Sequence, residues 1–224
     1  MQNLQTKTIE ESTFIHWFRR GLVSLLVGVL AFEALNYAHV LGYHLDFTWF
    51  GRVFSTSFVL LTLIGLDWLF RRKLQTRLPP IIWVLCVLIL GLDFCGDVFG
   101  FYGRWEHYDQ VAHFFSGPSL TICLVMAYRC IVLKRGWQLP TSAIYLLALG
   151  TDSLFAVAYE LEEYLEDVFF DSHRLGDGPD TANDLMMNLL GALLTLMVLT
   201  LYTRYKRSKS RDVLNQDFSY DSKN

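Results

Sequence analysis

The chain has 224 residues, of which 53% are hydrophobic and 18% are charged. That composition is too apolar for an ordinary soluble domain and indicates a membrane protein whose main partner is the lipid bilayer. The net charge of -3 decides little, because the charges are segregated along the chain, and we expect no nucleic-acid partner. The four cysteines lie in apolar runs without metal or redox spacing, so we interpret them as core thiols.

Six apolar segments approach the length of roughly 20 residues that a helix needs to cross a bilayer. The predicted spans cover about residues 21–41, 53–70, 80–101, 109–131, from Pro140 to 168, and 181–203. The predicted fold class is therefore all-α, a polytopic six-helix transmembrane bundle formed by one domain at 21–203. A cytoplasmic segment at 1–20 precedes it, and a polar, disordered cytoplasmic tail at 204–224 follows it.

The basic residues predict the orientation. If both termini are cytoplasmic, all 19 basic residues except Arg52, Arg104 and Arg174 fall on the inner side. The positive-inside rule therefore favours an N-in, C-in arrangement. In that orientation most of the acidic residues and five of the six histidines fall in the outer half. The positive-inside rule does not require acidic residues to collect on the outer side. We therefore expect some of them to have a role in binding or catalysis.

Three sequence motifs converge at the predicted outer face. The first is Tyr108-Asp109-x-x-x-His113, the second is Glu160-x-x-Glu163, and the third is Asp180-x-x-x-Asp184-x-x-x-Asn188-x-x-Gly191. Residues three or four apart share a helix face, so each motif presents its polar groups together. Ionisable groups inside a membrane segment are costly, and their default interpretation is a functional site.

These residue types suit a divalent cation, because carboxylates bind Mg²⁺, Ca²⁺ or Mn²⁺ and a histidine among them also suits Zn²⁺. The candidate metal ligands are Asp109, His113, Glu160, Asp180 and Asp184. The candidate catalytic groups are Glu160 or Glu163 as general base, with His113. The candidate groups for an anionic substrate are Arg104, Arg174 and Asn188.

Simpler explanations exist for several of these residues. Asp109 and Asp180 each precede a helix and would serve equally well as N-caps. An interhelical hydrogen bond is the simpler explanation for Asp184 and Asn188, which lie too deep for a cap. His113 alone would be explained by packing, and Gly191 by a close contact between helices.

Other acidic residues have structural interpretations as well. A solvated helix end explains Glu162, Glu166, Asp167 and Asp171, and an ion pair with Arg71 explains Asp67. Glu33 and Asp152 lie at mid-depth. Glu33 is either a proton-relay group or a hydrogen-bonded acid, and no partner for Asp152 is evident from the sequence.

The stretches YDQVAHFFSG, AVAYELEEY and DTANDLMMNLLGALL resemble the YjdF-like family of bacterial inner-membrane proteins. The order of the motifs is also similar to VanZ-like membrane proteins, which are linked to glycopeptide resistance. The resemblance covers about residues 80–200 and implies a multi-pass protein of the bacterial inner membrane. It carries over to Asp109, His113, Glu160, Glu163, Asp180, Asp184 and Gly191, with Arg174 and Asn188 matching only the VanZ-like pattern.

Three functions remain open at this point. The first is a metal-dependent enzyme acting on a lipid or lipid-linked substrate. The second is an ion-coupled transporter, for which Glu33 and Asp152 would be needed. The third is a non-enzymatic accessory membrane protein, whose acids hold a bundle together.

Overall fold

The computed structural model describes residues 13–45 and 47–221, with side chains up to residue 209. All regular elements in these ranges are α-helices, and the described residues contain no strand, in agreement with the predicted all-α class. The helices are α1 Thr13–Tyr37, α2 Trp49–Leu74, α3 Pro80–Val98, α4 Phe101–Arg104, α5 Tyr108–Arg135, α6 Thr141–Phe170 and α7 Gly178–Asp221.

Within the described ranges, five helical segments are long and apolar enough to cross a membrane, judged by length and composition alone. They are α2, α3, α5, α6 and the Gly178–Lys209 part of α7. The helix α1 is not among them. The predicted count of six spans and the N-in, C-in orientation are therefore not confirmed.

The helix boundaries differ from the prediction where local backbone signals were overlooked. The third predicted span was extended to 101, but α3 ends at Val98, and Gly100 then adopts a left-handed φ of +66° before α4 begins. The tail was predicted to be disordered from 204, yet α7 continues to Asp221, because no glycine or proline follows Gly191 to interrupt it. At roughly 1.5 Å per residue, a helix this long exceeds the bilayer core. Residues 1–12 of the predicted N-terminal segment and residues 222–224 of the tail lie outside the described residues.

The described residues form two compact units. Unit 1 contains the described residues of Met1–Arg104 and Leu165–Arg174. Unit 2 contains those of Trp105–Tyr164 and Leu175–Asn224. The helix α6 contributes to both, because its last residues belong to unit 1.

In unit 1, α1, α2 and α3 pack on one another. One end of this packing is fixed by Asp67, whose Oδ2 lies 3.3 Å from Arg71 Nε, and whose Oδ1 accepts a 3.0 Å hydrogen bond from Leu78 N. The predicted Asp67–Arg71 ion pair is therefore confirmed. Arg19 adds a second contact, since its Nη2 donates to the Leu78 carbonyl at 2.5 Å.

In unit 2, two glycines let α5 and α7 approach closely. A Cβ on Gly117 would collide with the Asn188 carbonyl oxygen, and a Cβ on Gly191 would collide with the Phe114 carbonyl oxygen and lie 2.7 Å from Pro118 Cδ. The predicted packing role of Gly191 is confirmed. Small residues at helix contacts are how membrane helices gain van der Waals packing.

We expect Gly191→Ala to destabilise the protein by about 1–3 kcal/mol, because the new methyl group meets backbone that cannot move aside. The matched control is Gly150→Ala, whose Cβ meets nothing within 4 Å. Thermal unfolding in detergent should show a lower Tm for Gly191→Ala and an unchanged or higher one for Gly150→Ala. Equal Tm values for the two variants would show that the helices separate freely at Gly191.

Candidate functional site

The first turns of α5 supply an aspartate and a histidine on one face of the helix. His113 Nε2 lies 3.5 Å from Asp109 Oδ1, with His113 buried and Asp109 half-buried. The edge of the Tyr159 ring packs against the imidazole, with 5.8 Å between ring centroids. The histidine is thus held between a carboxylate and an aromatic ring.

The facing turn of α7 supplies Asp184, which is only 2% exposed. One oxygen of Asp184, one of Asp109 and one nitrogen of His113 all lie within 4.8 Å of one another. We call these three residues the carboxylate–histidine cluster. Asp184 Oδ1 has no hydrogen-bond partner among the described residues, and Asp184 forms no ion pair with any of them.

The helix α6 brings two buried glutamates to unit 2. Glu160 Oε1 lies 3.9 Å from His113 Nε2, so Glu160 borders the carboxylate–histidine cluster. Glu163 is also buried, one turn further along the helix. The structure therefore brings together four of the predicted site residues: Asp109, His113, Glu160 and Asp184.

Asp180 has a different local environment from Asp184. Its Oδ1 accepts a 3.3 Å hydrogen bond from Gln110 Nε2, and its backbone N–H donates to Asp177 Oδ1 at 3.0 Å. Gly176, at a left-handed φ of +69°, leaves the space that the Asp180 carboxylate fills. Asp177 thus caps the start of α7, a role the sequence interpretation had considered for Asp180, and Asp180 is not one of the three grouped ligands.

Asn188 lies one turn deeper than Asp184 on α7. Its Nδ2 donates a 2.9 Å hydrogen bond to Asp152 Oδ2 on α6, and both side chains are buried. The structure therefore supplies the partner of Asp152 that the sequence left unidentified. Two roles were proposed for Asn188, an interhelical hydrogen bond and a contact with substrate. The bond to Asp152 is the interhelical hydrogen bond.

Unit 1 contains a second group of ionisable residues, which we call the arginine network: Glu33, Arg52, Asp93, Asp97 and Arg174. Arg174, predicted to bind substrate, donates to both oxygens of Asp97 at 3.1 and 3.2 Å and to Asp93 Oδ1 at 2.7 Å. Arg52 is fully buried, contacts Asp93 through Nη1 and donates to Glu33 Oε1 from Nη2 at 2.9 Å. Glu33 therefore forms an ion pair and a hydrogen bond, as the prediction of a hydrogen-bonded acid requires.

The predicted solvated end of the helix that became α6 is wrong for two of its four residues. Glu166 is 2% exposed and accepts a 2.8 Å hydrogen bond from Thr48 Oγ1. Asp167 Oδ1 accepts hydrogen bonds from Ser172 Oγ at 2.5 Å and from Arg174 N at 2.7 Å. The chain after α6 folds back and contacts Asp167, which is half-buried, while Thr48 and Gly51 cover Glu166, and Asp171 remains exposed.

Sequence reasoning gave no role to Arg52, the residue that makes three of the network's contacts. The sequence did contain a signal for this role: Arg52 is a lone arginine among apolar residues, and Glu33 is a lone acid on the preceding helix. Such groups are expected to pair. Arg104, the other predicted substrate contact, is exposed on α4 in unit 1.

A comparison with protein families finds one match over most of the chain. The family model described as "Predicted membrane protein (DUF2238)" matches residues 20–205, which include all the residues of both groups. Neither the curated proteins nor the solved structures contain a significant match.

We expect Arg52→Gln to destabilise the protein by about 3–5 kcal/mol, because it removes the cation that pairs with buried Glu33 and leaves Asp93 and Asp97 to share Arg174. The control is Arg104→Gln, which removes an exposed arginine from the same unit. Thermal unfolding in detergent should show a large loss of Tm for Arg52→Gln alone. Similar Tm values for both variants would mean that the network does not stabilise the fold.

Proposed function

We propose that this chain, which belongs to the DUF2238 family of predicted membrane proteins, binds a divalent metal ion at the carboxylate–histidine cluster and uses it on a lipid or lipid-linked substrate. The observation that carries the proposal is the approach of Asp109, His113 and Asp184 to within 4.8 Å of one another. The family assignment gives the membrane location but no reaction, so the argument starts from the geometry.

The spacing of the three ligand atoms fits a single ion. Oxygen and nitrogen ligands lie about 2.0–2.3 Å from Zn²⁺, Mn²⁺ or Mg²⁺, so two ligands of one ion are separated by at most roughly twice that distance. His113 Nε2 and Asp109 Oδ1, 3.5 Å apart, satisfy this condition, and all three ligand atoms lie within 4.8 Å of one another. Two carboxylates and one imidazole favour Zn²⁺ or Mn²⁺ over Ca²⁺, which prefers more oxygen ligands.

The burial of Asp184 supports the same conclusion. An ionised carboxylate without a partner is very costly in an apolar environment. Asp184 is almost fully buried, and one of its oxygens has no donor in the described part of the chain. The other acids nearby would repel it, whereas a divalent cation would attract all of them.

The residues around the cluster suit hydrolysis or group transfer. A bound divalent ion polarises a phosphoryl or acyl oxygen and acidifies a bound water molecule. Glu160, next to His113, is placed to accept a proton from an attacking water, and Glu163 is the alternative base. Because α5 and α7 both begin near the cluster, their N-termini favour an anionic group of the substrate.

The substrate class follows from where the cluster lies along the chain. Its ligands are near the start of α5 and α7, both of which are long and apolar enough to span a bilayer. A substrate that shares the membrane, such as a lipid or a lipid-linked intermediate, reaches this position directly. The resemblance to YjdF-like and VanZ-like proteins supports placing the chain in a bacterial inner membrane.

An ion-coupled transporter is the second candidate function. It is favoured by Asp152, which is completely buried within a segment apolar enough to span the membrane. An accessory protein without metal is the third, and it requires only that the polar groups hold helices together. Metal content separates the first function from the third.

We expect Asp184→Asn to lose bound metal while the protein still folds, because asparagine keeps the shape but removes the charge that attracts the ion. The matched control is Asp177→Asn, which changes an exposed acid in the same unit and retains a capping side chain. Elemental analysis of purified protein should find metal in wild type and Asp177→Asn but not in Asp184→Asn. Addition of Zn²⁺ or Mn²⁺ should raise the Tm of wild type and of Asp177→Asn but not that of Asp184→Asn.

Metal content in Asp184→Asn equal to that of wild type would remove Asp184 from the site. Absence of metal and of any metal-dependent Tm shift in wild type would contradict the enzyme proposal and favour the accessory function.

The proposed topology has α1 as a sixth span and both termini on the cytoplasmic side. In a background without the native cysteines, a cysteine at Glu106 should react with an impermeant thiol reagent added to intact cells, because basic residues are concentrated on the opposite side. A cysteine at Ser208 should react only after lysis. Both positions are exposed, so burial does not prevent labelling. Labelling of Ser208→Cys in intact cells would contradict the orientation.

A further inference from the structure

A second polar group lies in unit 2, separate from the carboxylate–histidine cluster and unused by the proposed metal chemistry. It consists of Asp152 on α6 and Asn188 on α7, joined by the 2.9 Å hydrogen bond from Asn188 Nδ2 to Asp152 Oδ2. Asp152 is 0% exposed, and Asn188 is buried as well. The pair therefore lies in the interior of unit 2.

The second oxygen of Asp152 decides its charge state. Oδ1 has no hydrogen-bond partner among the described residues, and Asp152 forms no ion pair with any of them. Apolar side chains of the core cluster, including Ala148 one turn before Asp152, pack in this region. The Asn188 amide and the nearby Thr121 hydroxyl on α5 are both uncharged, and they do not offset the cost of burying an ionised carboxylate, so the neutral acid is the form that fits.

The titratable groups on the neighbouring helices do not change this conclusion. On α7, Asp184 precedes Asn188 by one turn and, as another acid, adds no positive charge. On α6, Glu160 follows Asp152 by two turns. On α5, the Tyr128 hydroxyl lies 2.7 Å from Thr151 Oγ1, beside Asp152 in the sequence.

Polar side chains also continue along unit 2 on both sides of Asp152. Towards the start of α7 they are Asn188 and Asp184, on one face of that helix. In the other direction, Thr151 meets Tyr128, and the Tyr145 hydroxyl accepts a 3.1 Å hydrogen bond from Arg129 Nη2. Polar groups therefore lie on both sides of Asp152, inside helices that are otherwise largely apolar.

We infer that Asp152 is a proton-binding site: a buried carboxylic acid that carries a proton in the resting protein and exchanges it through the polar groups of unit 2. The inference does not depend on the proposed metal site, because it uses neither the ligands nor the ion. It gives the protein one element that proton-coupled function in a membrane requires, a buried acid that can load and release a proton.

Labelling with dicyclohexylcarbodiimide tests this directly, because the reagent is apolar and reacts with protonated carboxylic acids. The acid O–H adds across one C=N bond, and the O-acylisourea rearranges to a stable N-acylurea. The carboxyl group thus gains one whole reagent molecule, and nothing leaves. Peptide mapping by mass spectrometry of the full-length protein in liposomes identifies the labelled residue.

We expect an adduct on the peptide containing Asp152, with labelling that decreases as the pH is raised and does not depend on whether the salt is sodium or choline chloride. Protection by sodium would overturn the inference in favour of a sodium site. Labelling that is absent at every pH would be checked by infrared spectroscopy, which detects the carbonyl band of a buried protonated acid. Absence of that band as well would show that Asp152 is ionised.

The variant Asp152→Asn separates a proton site from a purely structural hydrogen bond. Asparagine can still pair with Asn188, so a structural role predicts an unchanged Tm and no further effect. A proton site predicts an unchanged Tm together with loss of the infrared band that titrates in wild type. The control is Asp171→Asn, which changes an exposed acid and should retain both the band and the label on Asp152. Retention of the band in Asp152→Asn would assign it to another residue and reject the inference.

Discussion

The structure depends on how buried charge is compensated inside apolar helices. An ionised group taken out of water must find an opposite charge, a donor or a proton. In unit 1 the compensation is internal, since Arg52 and Arg174 meet Glu33, Asp93 and Asp97 through direct ion pairs. In unit 2, Asp184 and Asp152 have no ion pair with any described residue. Among the described residues, buried acids are therefore ion-paired in unit 1, whereas Asp184 and Asp152 in unit 2 are not. The acids of unit 2 are the ones that are available to bind a cation or a proton.

Close helix packing determines the geometry of that ligand site. Gly117 and Gly191 remove the side chains that would separate α5 from α7, and Pro118 packs against the second of them. His113 directly precedes Phe114, whose carbonyl faces Gly191, while Asp184 lies one turn before Asn188, whose carbonyl faces Gly117. These small residues therefore help to bring His113 and Asp184 close together, as the proposed metal site requires. A larger residue at either glycine would separate the ligands as well as loosen the core.

The sequence predicted the parts of this arrangement that depend on local pattern. Apolar runs located α2, α3, α5, α6 and most of α7, and the four-residue spacing of Asp109 and His113 placed both on one face. It failed where distant segments meet. Glu166 was predicted to be solvated, but Thr48 and Gly51, which are distant in the sequence, cover it. Arg52 received no role because its partners come from other helices. Arg174 shows the same limit, because an arginine in a loop gives no indication of whether it faces a substrate or two aspartates.

Asn188 connects the two polar groups of unit 2, and its chemistry explains why they can act independently. Its amide donates to Asp152 and, being uncharged, adds no attraction or repulsion of its own at Asp184 one turn away. A lysine at this position would pair with Asp152 and ionise it, and a third carboxylate would add repulsion to the carboxylate–histidine cluster. Asparagine does neither, so it is compatible both with the proposed cation at Asp184 and with the proposed proton on Asp152. On α7, an acidic side chain and a neutral amide therefore follow one another, one helical turn apart, at Asp184 and Asn188.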